Sequence, residues 1–536
     1  MEELALRRKI IIMLALMASM MFASLNQTII GTALPRIVSE IGGMNHYSWV
    51  LSIFMLSSTV AGALVGKLSD LYGRKPFIVA GILVFMTGCL LCGFSRSIMQ
   101  LIVFRAIQGL GGGIIMSTSM TAVGDLFTPR ERGRWSGMVG SVFAISSIAG
   151  PALGGYIVEF ADWHWVFWIF LPLGVVALSM IWWLFPSVPK RRDEKIDYMG
   201  MVYLVAFVVP LLLALSRIGG DTSWRSPAVL VSLGAALVAL FLFVRTERKV
   251  PHPMMPLHMF RNRSFVAPNL AIMASQFGMF GVIMYMPLYV QGVLGLSAAV
   301  SGYVTSPLMV SMVFASAISG QIVTRTGRYK KQALLGMAIM CVGLFLLTRL
   351  EADASVASVV SRIVLIGLGM GITNPILNVT VQNAVPDRML GVATSTMQLF
   401  RQIGSTIGVT VAGSFITANA AGRMREYSDR SGLDPERAAE LSDPQILVNK
   451  ERLEELAADF SSPDGAAFDT IIATLRDSLN DAVSGAFVIG LVMAFIAFGM
   501  VATLKEVPLR NYRTRDEDPP SGDAPARGGN LPASGR

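Results

Sequence analysis

The chain has 536 residues, of which 53% are hydrophobic and 15% charged, with a mean hydropathy of +0.59. A soluble domain carries about 25% charged residues, so this is the composition of a protein dissolved in a bilayer. The formal charge of +9 does not mark a nucleic-acid binder, because Lys and Arg are spread over alternate loops and not gathered on one face. Three cysteines cannot build a disulfide framework, and Cys89 and Cys92 read as small hydrophobes within an apolar run. With no H-E-x-x-H and no G-x-x-x-x-G-K-[ST], a metalloprotease and an ATP-driven pump are unsupported. No metal, cofactor or enzymatic activity is expected.

Residues 1–9 form a short basic N-terminus with Arg7, Arg8 and Lys9. Apolar runs of about 20 residues then recur as far as Met500, and roughly fourteen are long enough to cross about 30 Å of hydrocarbon. The first is too long for a signal peptide's apolar core and leads straight into further spans, so it reads as a retained helix. Residues 10–186 give a first six-helix bundle, and 187–264 a linker with two inserted membrane helices at about 199–215 and 228–244. A second bundle covers 265–504 and includes a long extracellular loop at about 419–481, with short amphipathic helices at 434–440 and 450–456. Residues 505–536 read as a disordered tail. Basic residues fall on every second loop, among them Lys67, Arg74, Lys75, Arg130, Arg134, Lys190, Arg191, Arg248 and Arg328, which makes those loops and both termini cytoplasmic.

The chain repeats itself. Gly66 to Gly73 and Arg74 return as Gly320 to Gly327 and Arg328. Arg105 with Gly109, Gly111 and Gly113 returns as Arg362 with Gly367, Gly369 and Gly371, and Gly133 and Gly150 as Gly391 and Gly408. Landmarks in one order at nearly one offset predict two related six-helix bundles with a substrate path between them near the midplane.

The loop Gly66-Lys67-Leu68-Ser69-Asp70-Leu71-Tyr72-Gly73-Arg74-Lys75 resembles the signature joint between spans two and three of the major facilitator superfamily. Leu101 to Gly109, with Arg105, resembles its fourth-span motif. Gly137, Gly150, Pro151, Gly154 and Gly155 resemble its fifth-span antiporter motif, with Ser146 where glycine is usual. Thr28 to Pro35, Trp163 to Trp168 and Arg401-Gln402-Ile403-Gly404 resemble the fourteen-span drug–proton antiporters of the EmrB/QacA type. The resemblance implies an all-α membrane protein of the major facilitator fold, with two pseudo-symmetric bundles and two inserted helices. It also implies proton-coupled multidrug efflux of lipophilic, cationic compounds by alternating access, from a monomer in the bacterial cytoplasmic membrane, with lipids and protons as partners.

On this reading Asp70, Arg74, Arg105 and Asp125 serve proton coupling and a conformational latch, although an arginine that only holds helices together would also suit Arg105. The substrate path is assigned to Asn26, Gln27, Phe54, Met116 and Met120 in the first bundle. In the second it is assigned to Gln276, Phe280, Tyr285, Asn374, Asn378 and Arg401; flexible thioethers and aromatic faces suit variable lipophilic cations. The family has an aspartate where this chain has Asn26, which cannot titrate. Coupling through Asp70 and Arg105, a neutral or zwitterionic substrate, and a replaced natural aspartate all remain open. The alternatives to drug efflux are export of a lipid or neutral amphiphile, and a membrane sensor that keeps the fold without turnover.

Overall fold

The computed structural model describes residues 5–41, 47–186, 197–218, 224–251, 253–296, 298–386, 389–431 and 465–504. The first bundle contains α1 (Leu6–Ile41), α2 (Tyr47–Tyr72), α3 (Arg74–Gly93), α4 (Ile98–Leu126) and α5 (Pro129–Phe160). Its sixth span, Trp165–Leu184, is broken into α6 (Trp165–Trp168) and α7 (Leu171–Leu184). The inserted hairpin is α8 (Tyr198–Ile218) and α9 (Pro227–Glu247). The second bundle contains α10 (Arg263–Leu288), α11 (Ala298–Thr326), α12 (Lys330–Leu347), α13 (Val356–Asn383), α14 (Leu390–Ser431) and α15 (Gly465–Ala502).

Among the described residues, 13 helical segments are long and apolar enough to cross a membrane. The fourteenth is α14, whose 42 residues carry a polar second half but which packs against α2, α10 and α15 as a full member of the bundle. Large apolar side chains such as Trp183, Val231, Leu237 and Phe241 stand outward, which only a lipid solvent tolerates over so many helices. The polar stretch 419–481 is not a loop throughout. Both α14 and α15 run into it as helix, and Arg423 on one meets Asp481 on the other at 2.6 Å. The expected short helices at 434–440 and 450–456, the linker basics Lys190, Arg191 and Arg192, and the tail lie outside the described residues.

The sequence repeat is a packing repeat. Residues four apart share one helix face and the residue between them lies on the other. Thus Gly109 and Gly113 bring α4 against α2 at Phe54, Ser57 and Ser58, while Gly111 brings it against α3 at Phe85. In the second bundle Gly367 and Gly371 bring α13 against α11 at Leu308 and Met312, and Gly369 brings it against α12 at Gly336 and Met340. In lipid the hydrophobic effect does not drive helices together, so close backbone packing through small residues is the main attraction available. The joints repeat too: Gly73 and Gly327 have φ of 90° and 67°, conformations that side chains disfavour.

The bundles meet at the end that carries these joints. Gly66 on α2 touches Gly391 on α14 backbone to backbone, and Gly133 on α5 touches Gly320 on α11. These four glycines are two repeat pairs, so the second contact is the pseudo-symmetric image of the first. The inserted hairpin lies beside this seam. A cluster of Ala63 (α2), Leu204, Val208 and Leu212 (α8), Phe243 (α9) and Leu399 (α14) joins it to both bundles, and the Thr410 hydroxyl donates to the Leu215 carbonyl at 3.0 Å. At its base the buried Glu247 accepts the Met254 and Met255 amides at 3.1 and 3.2 Å.

A methyl group at Gly320 would overlap the Gly133 carbonyl, and one at Gly391 the Gly66 carbonyl. Gly320→Ala and Gly391→Ala should therefore each open the joint end without unfolding either bundle. Electron–electron distances between spin labels at the exposed positions Pro76 and Arg328 should lengthen; unchanged distances would show that these contacts do not limit closure.

Candidate functional site

Three polar constructions stand out, one at the seam and one deep in each bundle. At the seam, Asp70 projects from the last turn of α2 and is 5% exposed. Its two oxygens accept the Gly391 and Val392 amides at 3.0 and 3.1 Å. These are the first amides of α14, which have no acceptor inside their own helix and carry the positive end of its dipole. Asp70 also pairs with Arg74, whose Nε donates to Asp125 at 2.8 Å and whose Nη1 donates to the Ser69 hydroxyl at 2.6 Å. Arg74 thus sits between two carboxylates, and the leftover negative charge faces the helix end across the seam. The expected latch residues Asp70, Arg74 and Asp125 come together here. Arg105 does not: it lies twenty residues from Asp125 along α4, about 30 Å at 1.5 Å per residue.

Arg105 is 1% exposed and held entirely by neutral groups. Its Nη1 donates to Gln108 Oε1 at 2.6 Å, its Nε donates to the Val50 carbonyl at 3.3 Å, and its guanidinium lies 4.3 Å from the Phe54 ring centre. Gln108 in turn donates to Asn26 Oδ1 at 2.7 Å. Asn26 is therefore two hydrogen bonds from Arg105, and its buried Nδ2 has no partner. An aspartate there would give the arginine a relayed counter-charge; the amide does not. Phe54, assigned to the substrate path, is a buried face for this arginine. Gln27 on α1 and Met116 on α4 are half-buried, and Met120 is buried.

In the second bundle Arg401 Nη2 donates to Asn378 Oδ1 at 3.1 Å, while its Nε is buried without a partner. Gln276 is 2% exposed with Oε1 unpartnered, the Tyr285 hydroxyl donates to the Val409 carbonyl at 3.1 Å, and Asn374 and Phe280 are half-buried. Arg362, the repeat image of Arg105, does something else: it donates to the Leu346 and Arg349 carbonyls at 3.1 Å and closes the end of α12.

The antiporter-motif residues divide between two neighbours. Gly137 packs on α11 at Ser316, across the seam, whereas Gly150 and Gly154 admit Thr28 and Thr32 of α1 within the same bundle. The Thr28 hydroxyl donates to the Ser146 carbonyl at 2.9 Å, and the Ser146 hydroxyl is buried without a partner. A Cβ at Gly155 would meet nothing within 4 Å, and α5 runs unbroken through Pro151. Gln108, Ser69 and the α14 amides were not foreseen. Gln108 lies inside the quoted fourth-span motif at one turn from Arg105, which is a signal; nothing in the sequence marks backbone amides.

Among the described residues no group of His, Cys, Asp and Glu could hold a metal ion. The family model described as Major Facilitator Superfamily matches residues 16–409. The chain is 36% identical over 522 residues to "Multidrug transporter protein MdtP" of Bacillus subtilis, covering 95% of each, and 31% identical over 490 residues to "Multidrug resistance protein 3" of the same organism, covering 91% of this chain and 93% of that one. Its fold is similar to that of the human organic anion transporter MFSD10, with a TM-score of 0.59 at 14% identity over 91% of this chain and 99% of the other. With the repeat, the joint and the seam in place, these matches make the chain a member of the major facilitator superfamily.

Proposed function

We propose that the chain is a secondary active efflux transporter that moves lipophilic compounds of more than one kind out of a bacterial cell, by alternating access driven by proton entry. The observation that carries this reading is the seam, where two glycine contacts and one buried charge cluster close a single end of the molecule. By the positive-inside rule the basic joints support a cytoplasmic place for that end, and with it an outward-facing conformation. The multidrug descriptions of the two Bacillus relatives support breadth of substrate. Proton entry acts on Asp70 in this reading. A neutral carboxyl loses its attraction for Arg74 and for the α14 dipole, and the seam is released. A single chain suffices for the cycle.

Export of a neutral amphiphile or lipid is the second reading. Asn26 favours it, as does an apolar groove of about 580 Å³ between α2 and α8, lined by Leu64, Met201, Val205 and Pro210.

Asp70→Asn keeps an acceptor but removes the charge, and charged hydrogen bonds are worth about 1.5–3 kcal/mol each. Efflux in proteoliposomes should be lost, with the inward-open population rising about tenfold or more and the protein still monodisperse. Arg105→Ala should abolish efflux as well, and full activity in either variant would remove that residue from the mechanism. Asn26→Asp should raise export of cationic dyes more than of neutral ones, because it brings a carboxylate to the Gln108 amide; an equal change for both would exclude a charge-selective role for residue 26.

A further inference from the structure

Arg401 lies eleven residues into α14 from Leu390. At 1.5 Å per residue that is about 16 Å from the closed end, close to the middle of about 30 Å of hydrocarbon. One of its N–H groups is engaged by Asn378, itself 6% exposed, and Nε is buried with no partner. No ion pair with a described carboxylate is formed by Arg401 or by Arg105, which lies within α4 of the first bundle. The carboxylates of Asp70, Asp125 and Glu247 are at helix ends and committed there, and Asp481 pairs with Arg423.

Among the described residues, Arg105 and Arg401 thus place positive charge inside both bundles, and no acid stands near the middle of a span. Arg401 as a whole is half-buried, but its Nε is buried without an acceptor, and a cation left so at this depth gains from a counter-charge supplied from outside the chain. The guanidinium is a planar fork with five N–H donors that matches a carboxylate bidentately. Resting on the efflux reading above, we propose that Arg401, oriented by Asn378, is the substrate-charge site and takes the carboxylate of lipophilic anions. Asn378 is a positioning residue: its amide oxygen accepts from Nη2 and leaves Nε unengaged. The same chemistry disfavours lipophilic cations, which find no carboxylate to meet them at this depth.

The test uses pyrene butyrate, its methyl ester and pyrene butylamine, which share one ring and differ in charge. Export is followed in phosphatidylcholine liposomes, where no lipid anion competes, together with equilibrium binding to the purified full chain. The wild type should move and bind the acid about tenfold or more better than the ester, and the ester better than the amine. Arg401→Gln should bring acid and ester to parity, Arg401→Lys should keep part of the preference as a point charge, and Asn378→Ala should reduce it with the charge still present. Melting and size-exclusion profiles establish that each variant is folded. Binding preference in the wild type is measured without any variant, so an unfolded Arg401→Gln does not shield the proposal. Equal handling of acid and ester by the wild type, or an undiminished preference in folded Arg401→Gln, would overturn the site while leaving efflux intact. Selective binding of the acid with no export of any of the three compounds would keep the site and sink the efflux reading.

Discussion

The carboxylate of Asp70 at the N-terminus of α14 is the interaction on which the rest of the arrangement depends. The first amides of α14 need acceptors and Asp70 needs donors beyond Arg74, and both needs are met across the seam only while the bundles touch, whereas Arg74 keeps its two carboxylates within the first bundle. Gly391 has two duties in this contact. Its missing side chain admits α2, and its own amide binds the acid that α2 brings. A buried carboxylate or a bare helix end would each be costly alone, so closure is what makes burial of either tolerable.

The position of the inserted hairpin follows from that seam. Helix α8 packs on both α2 and α14, the two helices that the Asp70 contact unites. Any opening at the joint end must therefore slide one of them along α8 or carry α8 with it. The apolar surfaces that meet there, Ala63, Leu204, Val208 and Leu399, have no directional hydrogen bonds to break, and dispersion contacts between smooth side chains give little resistance to sliding. The hairpin is instead fixed at its ends, through Thr410 to the Leu215 carbonyl and through Glu247 to the amides of the returning linker.

Fourteen spans, two bundles, the inserted helices and the joint were legible in the sequence because each is local: a hydrophobic run, a basic loop or a glycine at a fixed spacing. Expected inserted helices at 199–215 and 228–244 became Tyr198–Ile218 and Pro227–Glu247. What was not legible depends on partners distant in the chain. That Asp70 caps α14 is a contact across 321 residues made to backbone amides, which every residue type but proline offers. The helical ends of 419–481 were hidden because polarity there signals exit from the membrane and says nothing of where a helix stops. Arg362 shows the limit of reading a repeat as shared chemistry: the glycines around it conserve packing, while the arginine itself closes a helix end.

The two seam contacts are alike in packing and unlike in charge. Across one, Asp70 of α2 satisfies the start of α14. At its pseudo-symmetric counterpart the start of α5 is served from within its own chain segment, where the Glu131 carboxylate accepts the Thr128 amide and hydroxyl at 3.2 and 3.1 Å. The repeat offset that carries Gly66 to Gly320 carries Asp70 to position 324, where the sequence has threonine. The α2 and α14 contact thus sets a buried carboxylate on the first amides of a helix, whereas Gly133 and Gly320 bring α5 and α11 together backbone to backbone. In the proposed cycle the α2 and α14 side of the seam is the electrostatic catch. A proton acts on this side alone in that cycle: neutralising Asp70 removes the charge that holds the start of α14.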